Sequence, residues 1–193
     1  MPDSEEPTHG YIFDFDGVLV NTMEAHFECY REALAEVGVP IARQQFYSQA
    51  GMTGREQIAY FASQAGRAID ADAVYRRKRE IFRLTDAGSR TTTIECNLAL
   101  FRLLKKAGVP VAIASGSSRL SIMPVIVRFG IEADAVVSAE DVTRGKPNPD
   151  LFLRAAERLG VEPRYCVVVE DSDAGIEAAR GAGMKALRFY DNE

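Results

Sequence analysis

Asp14 and Asp16, separated by one residue, close the stretch Tyr11-Ile12-Phe13-Asp14-Phe15-Asp16 before Gly17. In an extended chain alternate side chains share a side, so these carboxylates point the same way about 7 Å apart. A second acidic pair, Glu170-Asp171, follows the apolar run Cys166-Val167-Val168-Val169. Carboxylates that meet repel one another and raise each other's pKa. A hard divalent cation removes the conflict, and Mg2+ takes one or two carboxylates together with waters and phosphate oxygens. Lys146 stands in Arg144-Gly145-Lys146-Pro147-Asn148-Pro149-Asp150, where prolines stiffen the chain and a helix start offers N–H groups. The polar run Ser115-Gly116-Ser117-Ser118 ends another apolar segment. An anion held beside a metal is the chemistry this set suits.

Such residues act together only if the chain delivers them to one place. The segment Tyr11–Asp16 is short, aromatic and bounded by Gly10 and Gly17, which reads as a buried strand. Phe27, Tyr30, Leu34 and Val37 then recur at helical spacing, with Asn21 or Thr22 as cap and Gly38 as stop. A second helix carries Ile58, Phe61, Ala62 and Ala65. A third carries Val74, Lys78, Ile81, Phe82 and Thr85, with Arg76, Arg77, Lys78, Arg79 and Arg83 as a basic outer face. No strand pattern interrupts the block from Thr22 to Thr91.

From Asn97 onward helices and strands alternate. Helical stripes through Leu98–Ala107, Ile122–Phe129, Phe152–Leu159 and Ile176–Ala179 separate strands at Val109–Ala114, Ala135–Val137, Cys166–Val169 and Lys185–Phe189. Pro149 takes the first helical position of the third. This alternation predicts right-handed crossovers and an α/β fold: an open, parallel Rossmann-like sheet with helices on both faces. Residues 1–20 and 95–193 form the core, and residues 21–94 form a small α-helical insertion. Ligands of such sheets bind at the carboxyl ends of the strands. Asp14 and Asp16, Ser115, and Glu170-Asp171 all fall at strand ends.

Composition bounds the partners. The 193 residues are 47% hydrophobic and carry 28 Asp+Glu against 23 Lys+Arg, a net charge of −5. That is enough apolar material for a packed core, which excludes global disorder. The acidic balance speaks against nucleic acid and against an anionic membrane surface. No apolar run approaches the ~20 residues that cross a bilayer, and the polar, acidic start Met1–Gly10 is unlike a signal peptide. Cys29, Cys96 and Cys166 are odd in number and lack metal-ligand spacing. They read as reduced thiols of a cytoplasmic protein, with a monomer as the default.

The order and wording of these segments resemble the haloacid dehalogenase-like hydrolase superfamily. Asp14-Phe15-Asp16-Gly17-Val18, Ser115 after an apolar strand, Gly145-Lys146-Pro147-Asn148-Pro149-Asp150 and Glu170-Asp171-Ser172-Asp173-Ala174-Gly175-Ile176 match its four motifs and span nearly the whole chain. The helical insertion after the first motif looks like that family's small C1-type cap. The branch with β-phosphoglucomutase and sugar-phosphate phosphatases is the most similar, and His26 occupies the position of a histidine seen there.

The resemblance implies a Mg2+-dependent enzyme acting on a small phosphorylated metabolite. It makes Asp14 the nucleophile that forms an aspartyl-phosphate and Asp16 the general acid/base. It gives Ser115 and Lys146 catalytic roles. Asp14, Asp16 through its main-chain carbonyl, Asp171, and Glu170 as ligand or support would form the metal site. Gly17, His26, Thr53, Arg55, Ser115, Gly116, Lys146 and Asn148 would contact substrate, with Lys78 or Arg79 as further candidates. Dehalogenation needs neither Asp16 nor a metal, and a non-catalytic relative would have lost one of these groups; all are present. Departures from the mutase pattern favour a phosphatase over a phosphosugar mutase. Gly51-Met52-Thr53-Gly54-Arg55 carries its arginine one residue late, a rotation of ~100° on a helix. Ser118 replaces a lysine, and Ile94-Glu95-Cys96-Asn97 replaces a Pro-Gly turn.

Overall fold

The computed structural model describes residues 9–49 and 52–189. The acidic start, residues 1–8, and Gly51 of the Gly51–Arg55 segment lie outside the described residues. Strand β1 (Gly10–Phe13) is the centre of a five-stranded parallel sheet. It is followed by β2 (Val20–Asn21), then by the helices α1 (Met23–Ala35), α2 (Arg43–Tyr47), α3 (Gly54–Gln64) and α4 (Ala71–Leu84), and by β3 (Thr92–Thr93). The alternating part comprises α5 (Glu95–Lys106), β4 (Val111–Ala114), α6 (Arg119–Arg128), β5 (Ala135–Val137), α7 (Asp150–Leu159), β6 (Cys166–Glu170), α8 (Asp173–Gly181) and β7 (Lys185–Arg188). Strand order is β5-β4-β1-β6-β7, so the direction of winding switches between β1 and β6.

Both faces of β1 are covered. Ile12 packs with Leu151, Phe152, Ala155, Ala178 and Ala179 of α7 and α8. Phe13 packs on the opposite face with Phe101, Ile122 and Val125 of α5 and α6. A strand buried on both sides has no polar alternation to show, which is why it reads as a continuous apolar run. Helices α1–α4 close on a separate cluster that includes Leu34, Phe46, Ile58, Phe61, Val74 and Phe82. The chain leaves the sheet and returns to it side by side, since β2 pairs antiparallel with β3 (Val20 with Thr93, Asn21 with Thr92).

Three expectations change. Strand β1 stops at Phe13, so Asp14 and Asp16 owe their common direction to the turn that follows and not to strand alternation. In that turn the amides of Leu19 and Val20 both bond the Phe15 carbonyl, and Gly17 adopts φ 86°. Val37 is off the helical stripe and 38% exposed. The chain reverses at left-handed Gly38 (φ 72°), closed by a hydrogen bond from Val39 N–H to the Leu34 carbonyl, and Val39 takes the buried place. Pro149 caps α7 instead of opening it. Helix α2 and the short pair β2/β3 carry too few residues for periodicity to register.

Candidate active site

At the switch point, the buried Lys146 ammonium lies 2.6 Å from Asp14 Oδ1 and 2.5 Å from Glu170 Oε1. Its side chain is inaccessible to solvent. Burial alone would discharge it, but the two carboxylates outweigh that and push its pKa above the ordinary lysine value. Glu170 Oε2 accepts from the Ser172 amide (2.6 Å) and hydroxyl (2.9 Å). Lys146 first, and then these Ser172 bonds, outweigh burial and lower its pKa. Both Glu170 oxygens are thus engaged. Asp14 has one oxygen on Lys146 and, among the described residues, no hydrogen bond to the other. Burial, reinforced by Glu170, Asp16 and Asp171, pushes its pKa well up against the pull of Lys146. Burial and then Glu170 push Asp171 up to about 7.

Two glycines make this density of charge sterically feasible. A Cβ at Gly175 would fall 1.9 Å from Glu170 Oε1, and one at Gly17 would fall 2.5 Å from Asp171 Oδ2. Gly175 therefore lets the start of α8 settle over Glu170, while its amide bonds the Ser172 hydroxyl that caps the helix (3.0 Å). The sequence reading gave Gly175 no role. Its signal is only its distance from Ser172 in the fourth motif.

Asp16 stands in a different set of contacts. Its Oδ1 accepts from the Thr22 hydroxyl and lies 3.2 Å from His26 Nε2, and its Oδ2 accepts from Ser115 Oγ at 2.8 Å. Burial would raise its pKa, but His26, Thr22 and Ser115 together hold it well below the carboxylate range. Thr22, expected as a side-chain cap of α1, spends its hydroxyl here. On the far side of the imidazole, Lys78 Nζ lies 2.8 Å from His26 Nδ1. The basic outer face assigned to α4 is therefore wrong at Lys78, which is 3% exposed. Its spacing from Val74, Ile81 and Phe82 places it on the buried stripe. Burial pushes the Lys78 pKa down to about 8 and, together with the Lys78 charge, lowers that of His26. An ammonium makes Nδ1 the acceptor, which leaves the hydrogen on Nε2 facing Asp16.

A cavity of about 40 Å³ joins these groups, lined by Asp14, Asp16, Gly116, Ser117 and Asp171 on the sheet side and by His26 of α1. Met23, Tyr30, Phe46, Met52, Gly54 and Gln57 close it from the helical side. The sequence reading gave none of these six a place at the site: Tyr30 read as one residue of a helical core stripe, Met52 and Gly54 only as part of the Gly51–Arg55 segment, and Met23, Phe46 and Gln57 carried no signal.

Other expected contacts lie elsewhere. Arg55 is exposed, paired with Asp72 and stacked 5.0 Å over the Tyr75 ring. Thr53 caps α3, its amide and hydroxyl both bonded to Glu56 Oε2 (3.0 and 2.6 Å), and its methyl packs against Gly145. Asn148 Nδ2 bonds the Gly145 carbonyl (3.0 Å) and so braces the loop that carries Lys146. Ser115 turns its hydroxyl to Asp16 and accepts from the Ser117 amide at 2.9 Å. Arg79 lies 3.9 Å from Glu140, outside the cavity lining.

The donor chemistry fits a hard dication. Ligand oxygens of Asp14, Glu170 and Asp171 lie within 4.8 Å of one another, and buried carboxylates with raised pKa values gain from a positive charge. Asp14 and Asp171 hold the oxygens left open. Glu170 stands behind them, clamping Lys146. The Asp16 carboxylate, already engaged, has only its main-chain carbonyl to offer.

A parallel α/β sheet with carboxylates and one buried ammonium at its switch point defines a class of hydrolase, and comparison with known proteins places the chain within it. The family profile of haloacid dehalogenase-like hydrolases matches residues 11–189. Fructose-1-phosphate phosphatase YqaB of Escherichia coli is 35% identical over 92% of this chain and 94% of its own length. Beta-phosphoglucomutase of Bacillus subtilis is 30% identical over 91% of this chain and 80% of its own length. The fold matches that of a hydrolase from Pseudomonas syringae with a TM-score of 0.86, covering 96% of this chain and 88% of the other at 23% identity. The chain belongs to the haloacid dehalogenase-like hydrolases. It is an enzyme, a phosphoric monoester hydrolase of that family.

Proposed function

We propose that this enzyme is a Mg2+-dependent phosphatase that hydrolyses the phosphate monoester of a small metabolite, a sugar phosphate, through an aspartyl-phosphate on Asp14. The observation that carries the reading is the buried Asp14 carboxylate, with one oxygen on Lys146 and the other open beside the cavity. Asp14 attacks phosphorus and the ester oxygen leaves. Asp16, a carboxylate in the free enzyme, takes up a proton with the bound substrate, gives it to that oxygen and then takes one from the water that cleaves the acyl phosphate, so that Asp14 returns as a carboxylate and Asp16 as the acid. His26 holds a hydrogen next to Asp16 throughout. Lys146 and the Gly116 amide offer positive ends to the phosphoryl oxygens. Asp14 and Asp171 would hold Mg2+, which would supply the charge that lets an anionic nucleophile approach an anionic phosphate.

Residues 21–94 act as the cap over residues 1–20 and 95–193. The cavity has room for a water or two but not for a sugar, so helices α1–α4 move aside to admit substrate. The names of the Escherichia coli and Bacillus subtilis relatives keep both a phosphatase and a mutase in play. A mutase must grip a second phosphate, and among the described residues lining the cavity there is no lysine or arginine. That favours hydrolysis. The same reading takes the protein as cytoplasmic and monomeric. Cys29, Cys96 and Cys166 are free thiols, and no helix among the described residues is long and apolar enough to cross a membrane.

The test is phosphate release from p-nitrophenyl phosphate and a panel of sugar phosphates with Mg2+ or with chelator. Release that needs Mg2+ and vanishes in a folded Asp14→Asn variant is expected. A fully active Asp14→Asn protein, or conversion of β-glucose 1-phosphate to glucose 6-phosphate with little free phosphate, overturns the reading.

A further inference from the structure

The helical wall of the cavity is nearly sealed to solvent and mostly apolar, yet it carries two unused polar atoms. Gln57 is 5% exposed; its amide nitrogen donates to the Gln49 carbonyl at 3.1 Å, and its Oε1 accepts no hydrogen bond among the described residues. Tyr30, equally buried, packs tilted against Phe46 (centroids 5.3 Å apart) and leaves its hydroxyl without a partner among the described residues. Both side chains line the cavity opposite Asp14 and Asp16. Both atoms are open to the cavity and are not sealed in the core, so a ligand that displaces water from them is favoured when it replaces those hydrogen bonds.

The same wall is closed to anions. A Cβ at Gly54 would lie 2.3 Å from Tyr75 Cε2 and 2.6 Å from the Tyr30 hydroxyl, so the first turn of α3 has no room for a side chain reaching inward. Arg55, the next residue, is turned out to Asp72. The His26 ring is committed to Asp16 and Lys78. The charges facing the cavity are those of Asp14, Asp16 and Asp171. A second anionic group on the leaving alcohol would meet repulsion and no compensating cation.

We propose that Gln57 and Tyr30 are the specificity-determining residues for the leaving group and that they select a neutral, hydroxyl-bearing one. A sugar or polyol monophosphate is accepted; a bisphosphate or a phosphorylated carboxylate is rejected. This rests on the phosphatase reading above. Gln57 Oε1 takes a hydroxyl hydrogen from the leaving group, and the Tyr30 hydroxyl donates to one of its oxygens.

The experiment compares kcat/KM with Mg2+ for p-nitrophenyl phosphate, a hexose monophosphate and the matching hexose bisphosphate, in the parent enzyme and in the Gln57→Met and Tyr30→Phe variants. The parent should prefer the monophosphate to the bisphosphate by roughly a hundredfold or more. In each variant the ratio of hexose monophosphate to p-nitrophenyl phosphate activity should fall by roughly tenfold or more, as expected when a site built for a hydroxyl loses its partner. The ratio corrects for any general loss of folding, and Tyr30→Phe keeps the ring that packs on Phe46. Equal falls on both esters, or efficient turnover of the bisphosphate, overturn the proposal while the phosphatase reading stands. A parent enzyme that releases phosphate from none of the three overturns that reading as well.

Discussion

Lys78 Nζ lies 2.8 Å from Nδ1 of His26, an ammonium buried in the helical insertion and aimed at an imidazole that faces Asp16. Its other neighbours are the rings of Tyr30 and Phe82, with centroids 4.7 and 5.4 Å away. Holding a cation there costs stability, because its pKa is pushed down to about 8 by burial. The folded protein binds this proton less tightly than the unfolded chain does, so the cost is full below pH 8 and fades as pH rises toward the ordinary lysine value of about 10.4. Lys78→Met should therefore raise the melting temperature at pH 7 by a few degrees. It should lower kcat by about tenfold or more, because Nδ1 no longer has to be the acceptor and the hydrogen facing Asp16 is no longer fixed. Calorimetry and a pH–rate profile check this. A variant that is less stable and equally active contradicts it.

Arg55 should be dispensable. Its partner Asp72 is as exposed as it is, with side chains 56% and 57% accessible, and exposed pairs contribute about 0–1 kcal/mol. Arg55→Ala should leave kcat/KM for sugar phosphates within about twofold. A KM raised tenfold would place the guanidinium at the substrate after all and reopen the mutase reading.

What could be read before the fold was known follows from how each residue reaches the site. Asp14, Ser115 and Glu170 are delivered by β1, β4 and β6, whose apolar runs are unambiguous, and the switch point gathers their ends. Lys146 comes from a loop whose prolines announce it. Cap residues have no such guide. Whether Lys78 or Arg79 turns inward depends on one step of ~100° around α4, and the same step separates Gly54 from Arg55 on α3. Gln57 and Tyr30 share one wall of the cavity only because α1 and α3 share a cluster with Phe46, a packing that neither helix's own periodicity contains.

Asp141 should make the protein acid-labile at a point remote from the site. Its carboxylate accepts from the Ser138 amide and hydroxyl (2.8 and 2.9 Å) and pairs with Arg119 and Arg158. These contacts outweigh burial and hold its pKa well below the ordinary value. A depressed carboxylate contributes its stability in full above the unfolded-state value of about 3.9 and loses it as pH falls through the lower folded-state value. Asp141→Asn should lower the melting temperature by about 2–4 °C at pH 7, the shift that ~1 kcal/mol produces in a chain of this size. The gap between parent and variant should narrow below about pH 4. A gap that is constant from pH 7 to pH 3 would show that charge at Asp141 is not what these partners stabilise.

Gly175 should be the least replaceable glycine of the site. A methyl there would lie 1.9 Å from Glu170 Oε1 and 2.0 Å from its Cδ, so either α8 lifts or the Glu170 side chain turns away. Lifting α8 breaks the Ser172 cap, and turning Glu170 removes one of the two carboxylates that keep Lys146 charged. Overpacking of this kind costs roughly 1–3 kcal/mol, which predicts a melting temperature lower by several degrees in Gly175→Ala. Activity should fall further than stability does, because Lys146 would be left with Asp14 as its only carboxylate partner and would draw it away from phosphorus. Combining Gly175→Ala with Glu170→Gln separates the two effects. If the clash acts through the Glu170 charge, the double variant is no less active than Glu170→Gln alone. A further drop in the double variant would place the damage in α8 itself.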